Sequence, residues 1–124
     1  MAEQTTPTDT GDDRQDPQVK KTDRRFEIHV DDSGRPAGFT LYLDHTAADG
    51  TVQRIFPHTE IRGEFGGQGL GSVLVRQALD RSIEEGVTII PVCPYVKSWI
   101  QKHEGYAEHT AKPTPEHLQL ISGR

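Results

Sequence analysis

The sequence predicts a small α/β (α+β) domain with the element order β-β-β-α-β-α. Three observations predict it. Short segments of alternating apolar and polar residues fill the stretch up to Ile61, and one long amphipathic stripe follows. A compact apolar run, Val87–Val92, then comes directly after that stripe. A strand–helix–strand succession makes the last strand parallel to the third.

Each element has its own signature. Phe26, Ile28 and Val30 alternate with Glu27 and His29, a half-buried strand, and Asp31–Pro36 is a turn. Phe39, Leu41 and Leu43 alternate with Thr40, Tyr42 and Asp44, a second strand. Asp49-Gly50 marks a hairpin turn into a third strand over Thr51–Ile61, where Pro57 signals an edge, a bulge or a strand end. A helix is expected from Gly69 to about Glu85. Its inner stripe is Leu74, Val75, Ala78, Leu79 and Ile83, with Arg76, Asp80 and Glu84 opposite, and Gly86 stops it. Val87–Val92 is a buried strand, and a shorter helix after Pro94 turns Val96, Trp99, Ile100 and His103 inward.

The flanks read differently. Residues 1–23 are polar and rich in Thr, Asp, Gln and Pro, as expected of a disordered tail. The folded core is expected over 24–110, and 111–124 form a C-terminal tail whose His117–Ile121 run docks weakly or stays loose. A chain of 124 residues holds one domain. Its net charge of −5 argues against a nucleic-acid coat. No apolar run reaches the roughly 18 residues that span a membrane, and the N-terminus lacks the apolar centre of a secretory signal. The single cysteine, Cys93, cannot form an intramolecular disulfide. A cytoplasmic monomer with a free thiol is the expectation. His29, His45, His103, His109 and His117 read as solvated or packing residues, and their spacing matches no metal cage.

The most informative segment is Phe65-Gly66-Gly67-Gln68-Gly69-Leu70-Gly71, between the third strand and the helix. Glycines let backbone N–H groups approach a ligand, and a helix N-terminus carries partial positive charge, so the turn suits a phosphate or pyrophosphate. A dinucleotide fingerprint fails, because its third glycine would fall on Ser72 or Leu74. A P-loop fails for want of a lysine. The form Arg/Gln-x-x-Gly-x-Gly/Ala remains, with Gly69 and Gly71 in its last two fixed positions and Gly66 where Arg or Gln is usual.

That form is the pyrophosphate turn of the GCN5-related acetyltransferases. The segment Phe26–Tyr106 resembles the small GCN5-related N-acetyltransferase-like family of the YjdJ type, a minimal version of that fold with splayed parallel strands. The resemblance rests on His58-Thr59-Glu60-Ile61, on Glu64–Gly71 with its helix, on Pro91-Val92-Cys93-Pro94-Tyr95-Val96 and on His103-Glu104-Gly105-Tyr106.

The resemblance implies acetyl-CoA or CoA as ligand and an amine, small or on a protein, as acceptor. The pantetheine arm would insert between the third and fourth strands, with the pyrophosphate on backbone N–H groups of Gly66, Gly67, Gln68, Gly69, Leu70, Gly71 and Ser72. A backbone N–H near Glu60 or Ile61 would polarise the thioester carbonyl. Tyr95, among the cofactor-binding candidates, would line the acceptor mouth or pack with its hydroxyl at the surface. Cys93, before a helix N-terminus, is a candidate acyl carrier. His58, expected across the splay from Cys93, is the candidate base, with Glu60 as alternative. Covalent and direct transfer both stay open at this stage. So does a CoA-binding module with little turnover, since Gly66 removes a side-chain contact.

Overall fold

The computed structural model describes residues 17–66 and 69–122. Seven strands and three α-helices occur in these residues. Strands β1 (Gln18–Lys21), β2 (Arg25–His29), β3 (Gly38–Leu41) and β6 (Thr59–Ile61) form an antiparallel sheet in the order β1-β2-β3-β6. Strands β4 (Leu43–Thr46), β5 (Val52–Phe56) and β7 (Thr88–Pro91) form a second sheet in the order β4-β5-β7. There β5 and β7 run parallel, in the register Gln53↔Thr88 to Phe56↔Pro91.

Two predicted strands prove to be pairs of strands, because each crosses from one sheet to the other. The second strand breaks at Tyr42, which is buried and donates its hydroxyl to the Thr22 carbonyl. The third breaks at Pro57-His58, where proline supplies no ladder N–H. Close pairing of β3 with β6 depends on Gly38. A Cβ there would stand 2.3 Å from Ile61 Cδ1 and 2.6 Å from the Glu60 carbonyl oxygen.

Ordered structure begins before the expected core boundary. Strand β1 pairs with β2 in the register Val19↔Ile28, so residues 18–21 are sheet and not tail. With Val19 as its one apolar residue between Gln18 and two lysines, this edge strand has almost no hydrophobic pattern to read. The rest of the expected N-terminal tail, 1–16, lies outside the described residues.

Helix α1 (Leu70–Glu84) buries Leu70, Leu74, Val75, Ala78 and Leu79 against the sheets. Gly86 ends it at φ +77°, with Gly86 N–H donating to Ile83 O and Val87 N–H to Ser82 O, a left-handed glycine cap. Helix α2 (Pro94–Lys102) buries Val96, Trp99 and Ile100, as the sequence predicts. The C-terminal segment is helical as well: α3 spans Pro115–Ser122. It is anchored by buried His117, whose Nε2 lies 2.7 Å from Gln53 Oε1 while Nδ1 accepts from the Thr114 N–H at 3.0 Å.

The core gathers Phe26, Ile28, Phe56, Leu74, Leu79 and Ile89, all essentially without solvent contact. Beside it lies a buried charge. Arg54, 1% exposed, binds Asp44 through two nitrogens at 2.8 and 2.9 Å and Glu85 at 2.8 Å. Its guanidinium also covers the Tyr42 ring at 4.8 Å. Burial opposes the Arg54 charge, but the hydrogen bonds and charges of Asp44 and Glu85 outweigh it and raise its pKa. Among the described residues no helix is long and apolar enough to cross a membrane.

Candidate active site

Parallel strands β5 and β7 stay paired up to Phe56↔Pro91, and then the two chains part. Beyond Pro57 the first chain joins the other sheet as β6, pairing with β3 at Thr40↔Thr59, Phe39↔Glu60 and Gly38↔Ile61. The second chain turns at Cys93 into α2. A backbone bond still ties them at the break, from the Cys93 N–H to the Phe56 carbonyl at 2.7 Å. The expected splay therefore exists, and proline at the break lets the first strand change sheets without abandoning an amide donor.

Strand β6 forms the edge of its sheet. Antiparallel ladders alternate, with every second residue hydrogen-bonded to the partner strand. Leu41 N–H donates to His58 O and Arg62 N–H to Ala37 O, so Glu60 turns its amide toward β3. Thr59 and Ile61 thus present their backbone groups to the gap. Of the two amides expected near a thioester, that of Glu60 faces β3 and that of Ile61 faces away from it.

Side chains on β6 alternate across the sheet. Thr59 points inward, where its Oγ1 lies 2.8 Å from Thr40 Oγ1 and receives the Cys93 thiol at 3.5 Å. His58 and Glu60 point to the other face, with Nε2 and Oε1 2.9 Å apart and both side chains more than half exposed. The Phe39 ring lies beside His58, centroids 6.2 Å apart. This corrects the expected arrangement: His58 does not face Cys93, because a period of two puts the residues flanking Thr59 on the opposite side from Thr59 itself. Glu60 accepts the Nε2 proton, which leaves Nδ1 of a neutral His58 as an acceptor. Glu60 is in position to orient the imidazole.

The glycine turn leads into α1. Gly66 N–H donates to Gly63 O at 3.1 Å, and Gly69, the N-cap residue of α1, stands at φ +74°. That left-handed backbone suits glycine. No side chain caps the helix start. The first-turn N–H groups of Leu70, Gly71 and Ser72 therefore lack intrahelical partners and point out of the helix end, where the macrodipole favours an anion. Gly67 and Gln68, also expected to cradle the pyrophosphate, lie outside the described residues. The Ser72 hydroxyl accepts the Trp99 indole N–H at 2.8 Å, which fixes its position and leaves its own O–H, like its amide, able to donate. Trp99 itself is buried and stacks on His103, centroids 3.8 Å apart, in keeping with a packing role.

Tyr95 stands beside the start of α1. From the first turn of α2 it reaches over Gly71, where an added Cβ would stand 2.6 Å from the phenolic oxygen. The ring remains 41% exposed. Burial, reinforced by Cys93 nearby, pushes the phenol pKa up, so the hydroxyl stays a proton donor throughout the physiological range. Cys93 is buried at the N-cap of α2, with Pro94 in the first helical position. Among the described residues no cluster of His, Cys, Asp and Glu could hold a metal ion.

Residues 25–109 match the model of the GCN5-related N-acetyltransferases, a span that takes in both sheets' paired strands from β2 onward, the glycine turn, α1 and α2. The chain belongs to the GCN5-related N-acetyltransferase family. Solved structures agree on the fold. A GCN5-like protein of Staphylococcus aureus, determined by NMR, aligns with a TM-score of 0.57 at 22% identity, over 81% of this chain and 93% of that one. A ribosomal-protein-alanine N-acetyltransferase of Brucella melitensis aligns with a TM-score of 0.51 at 17% identity, over 65% and 63%. No curated protein sequence matches. Within this N-acetyltransferase family member, the hydroxyl pair Thr40–Thr59 beside Cys93 is the part of the site that sequence reasoning missed. Its only signal was the inward phase of Thr59, and that phase does not reveal which residue of another strand it meets.

Proposed function

We propose that this protein is an acetyl-CoA-dependent N-acetyltransferase acting on an amine, with the thioester held in the gap between β6 and β7. The observation that carries the reading is the parting of β5 and β7 beyond Phe56↔Pro91 beside the uncapped start of α1. Pantetheine amides can complete the open edge of β6, and the pyrophosphate can take the amides of Gly69–Ser72. The Ile61 N–H would polarise the thioester carbonyl. Tyr95, held protonated, would protonate the departing CoA sulfur, and His58, oriented by Glu60, would take a proton from the attacking amine. Direct transfer needs these groups only. Covalent transfer would add a thioester on Cys93, which sits on the α1 side of β6, opposite His58.

Calorimetric titration with acetyl-CoA and CoA tests the reading; no binding at millimolar ligand would overturn it. Intact mass after incubation with acetyl-CoA separates the routes. A stoichiometric acetyl adduct on Cys93 that decays when amine is added supports the covalent route, and its absence during turnover supports the direct one. The placement of Cys93 and His58 on opposite faces, with Gly66 lacking the usual side chain, favours a second reading, a CoA-binding module with little turnover. Steady acetylation of an amine, lost in His58→Ala with CoA affinity retained, would exclude it.

A further inference from the structure

The face of β6 that carries His58 opens onto a cleft of about 830 Å³. Its walls include Asp23 and Arg24 before β2, Arg25 on β2, Leu41 at the end of β3, His58, and Ile121 from α3. Pro57 also lines it, so the cleft begins where the third strand leaves its parallel partner. Its volume is that of a small-molecule site.

Two guanidinium groups line the cleft beside one lining carboxylate, Asp23, and two of its polar walls are already paired, Arg25 with Glu27 and His58 with Glu60. The two arginines differ. Arg25 gives its Nε–H to Glu27 at 2.8 Å and lies over the Phe39 ring at 4.7 Å, which fixes it as part of the wall. Arg24 is exposed and makes no side-chain ion pair among the described residues. A guanidinium offers a planar fork of donors that matches a carboxylate. Leu41 and Ile121 add an apolar wall.

We infer that this cleft is the acceptor site and that it takes a small amine bearing a carboxylate, with an apolar side chain. The carboxylate meets Arg24, the apolar part meets Leu41 and Ile121, and the amine faces the free Nδ1 of His58. A polycationic amine without a carboxylate gives Arg24 no partner. This inference rests on the acetyl-transfer reading, but its binding half can be measured without turnover.

The test uses the full chain saturated with CoA or acetyl-CoA, with L-leucine, L-leucinamide and spermidine as probes. In NMR titrations leucine is expected to shift the resonances of Arg24, Arg25 and His58, and leucinamide to shift them far less. N-acetyl product measured by mass spectrometry is expected to favour leucine over leucinamide by about tenfold or more in kcat/KM, the effect of one hydrogen bond to a charged group. Arg24→Gln should erase that preference by raising KM for leucine while kcat holds. Equal use of leucine and leucinamide, a preference for spermidine, or no shift in the cleft at millimolar leucine each overturns the inference. Leucine binding in the cleft with CoA bound and no product would support the carboxylate site and overturn the transfer reading instead.

Discussion

Gly38 and Gly71 should respond in opposite ways to the same substitution. At Gly38 an alanine Cβ would meet Ile61 Cδ1 at 2.3 Å and the Glu60 carbonyl oxygen at 2.6 Å. The isoleucine methyl can rotate away, but the carbonyl belongs to the β3–β6 ladder and cannot retreat without loosening it. Overpacking of this kind costs about 3 kcal/mol at the upper end, and the lower chain entropy of alanine returns up to about 1 kcal/mol. A net loss of about 2 kcal/mol lowers Tm by about 8–16 °C for a domain of this size. At Gly71 the obstacle is the Tyr95 hydroxyl at 2.6 Å and two ring carbons at 3.1 Å, the far end of a half-exposed side chain that can swing outward. Helix propensity favours alanine, so Gly71→Ala should stay within about 0.5 kcal/mol of the parent or exceed it. The motif admits alanine here, so the methyl alone is tolerated; it is the displaced Tyr95 ring that would intrude on the first-turn amides of α1, and acetyl-CoA affinity should fall about tenfold, or about 1.4 kcal/mol. Thermal melts by circular dichroism and calorimetric titration with acetyl-CoA measure both. If Gly38→Ala melts with the parent, or if Gly71→Ala loses stability and keeps its affinity, the assignment of these glycines to a sheet contact and a ligand contact is refuted.

Three further outcomes are expected. Arg54→Met should cost about 2–4 kcal/mol by urea unfolding, toward the low side for a broken buried pair because Asp44 and Glu85 retain access to water. The Glu85 carboxyl is held below its ordinary 4.5 by the hydrogen bond from Arg54, so the unfolded chain binds the extra proton first. Its stabilisation should be complete above about pH 4.5 and fade as pH falls further through the folded value; urea unfolding across pH 7 to 3 checks the sign, and Glu85→Gln should flatten the slope. Trp99→Phe, which strips the Ser72 hydroxyl of its indole donor, should lower stability by about 1 kcal/mol in the same unfolding assay, while acetyl-CoA affinity should change little if, as proposed, backbone amides carry the pyrophosphate.

Much of the architecture was legible because its residues repeat at the period of the element they form. The stripe Leu74, Val75, Ala78 and Leu79 lies buried in α1, and Ile89 and Ile90 are buried in β7. The elements that escaped lack such a period. Strand β1 offers one apolar residue in four, and α3 presents a buried histidine where a hydrophobic anchor would be sought. Pro57 announced a break in the third strand, but no local rule says that a chain leaving one sheet will join another. That outcome depends on Gly38 allowing β3 to approach β6, a contact across more than twenty residues of sequence.

Strand β6 explains both why the site could be located and why its internal geometry could not. Its three residues, Thr59–Ile61, serve three directions at once. Thr59 faces inward to Thr40 and Cys93, Glu60 faces outward to His58, and the Ile61 amide lies in the plane of the sheet toward the gap. The motif His58-Thr59-Glu60-Ile61 identifies the strand, but the role of each residue follows from the phase of the pleat, and a one-residue slip would exchange them all. In the observed phase, an acyl group in the gap has a thiol on one side and an imidazole with an open cleft on the other. An amine entering from the cleft reaches His58 without passing Cys93. On the proposed reading the two candidate groups would then divide by function: His58 would serve the acceptor, and Cys93, hydrogen-bonded to Thr59 at the N-cap position of α2, would line the gap.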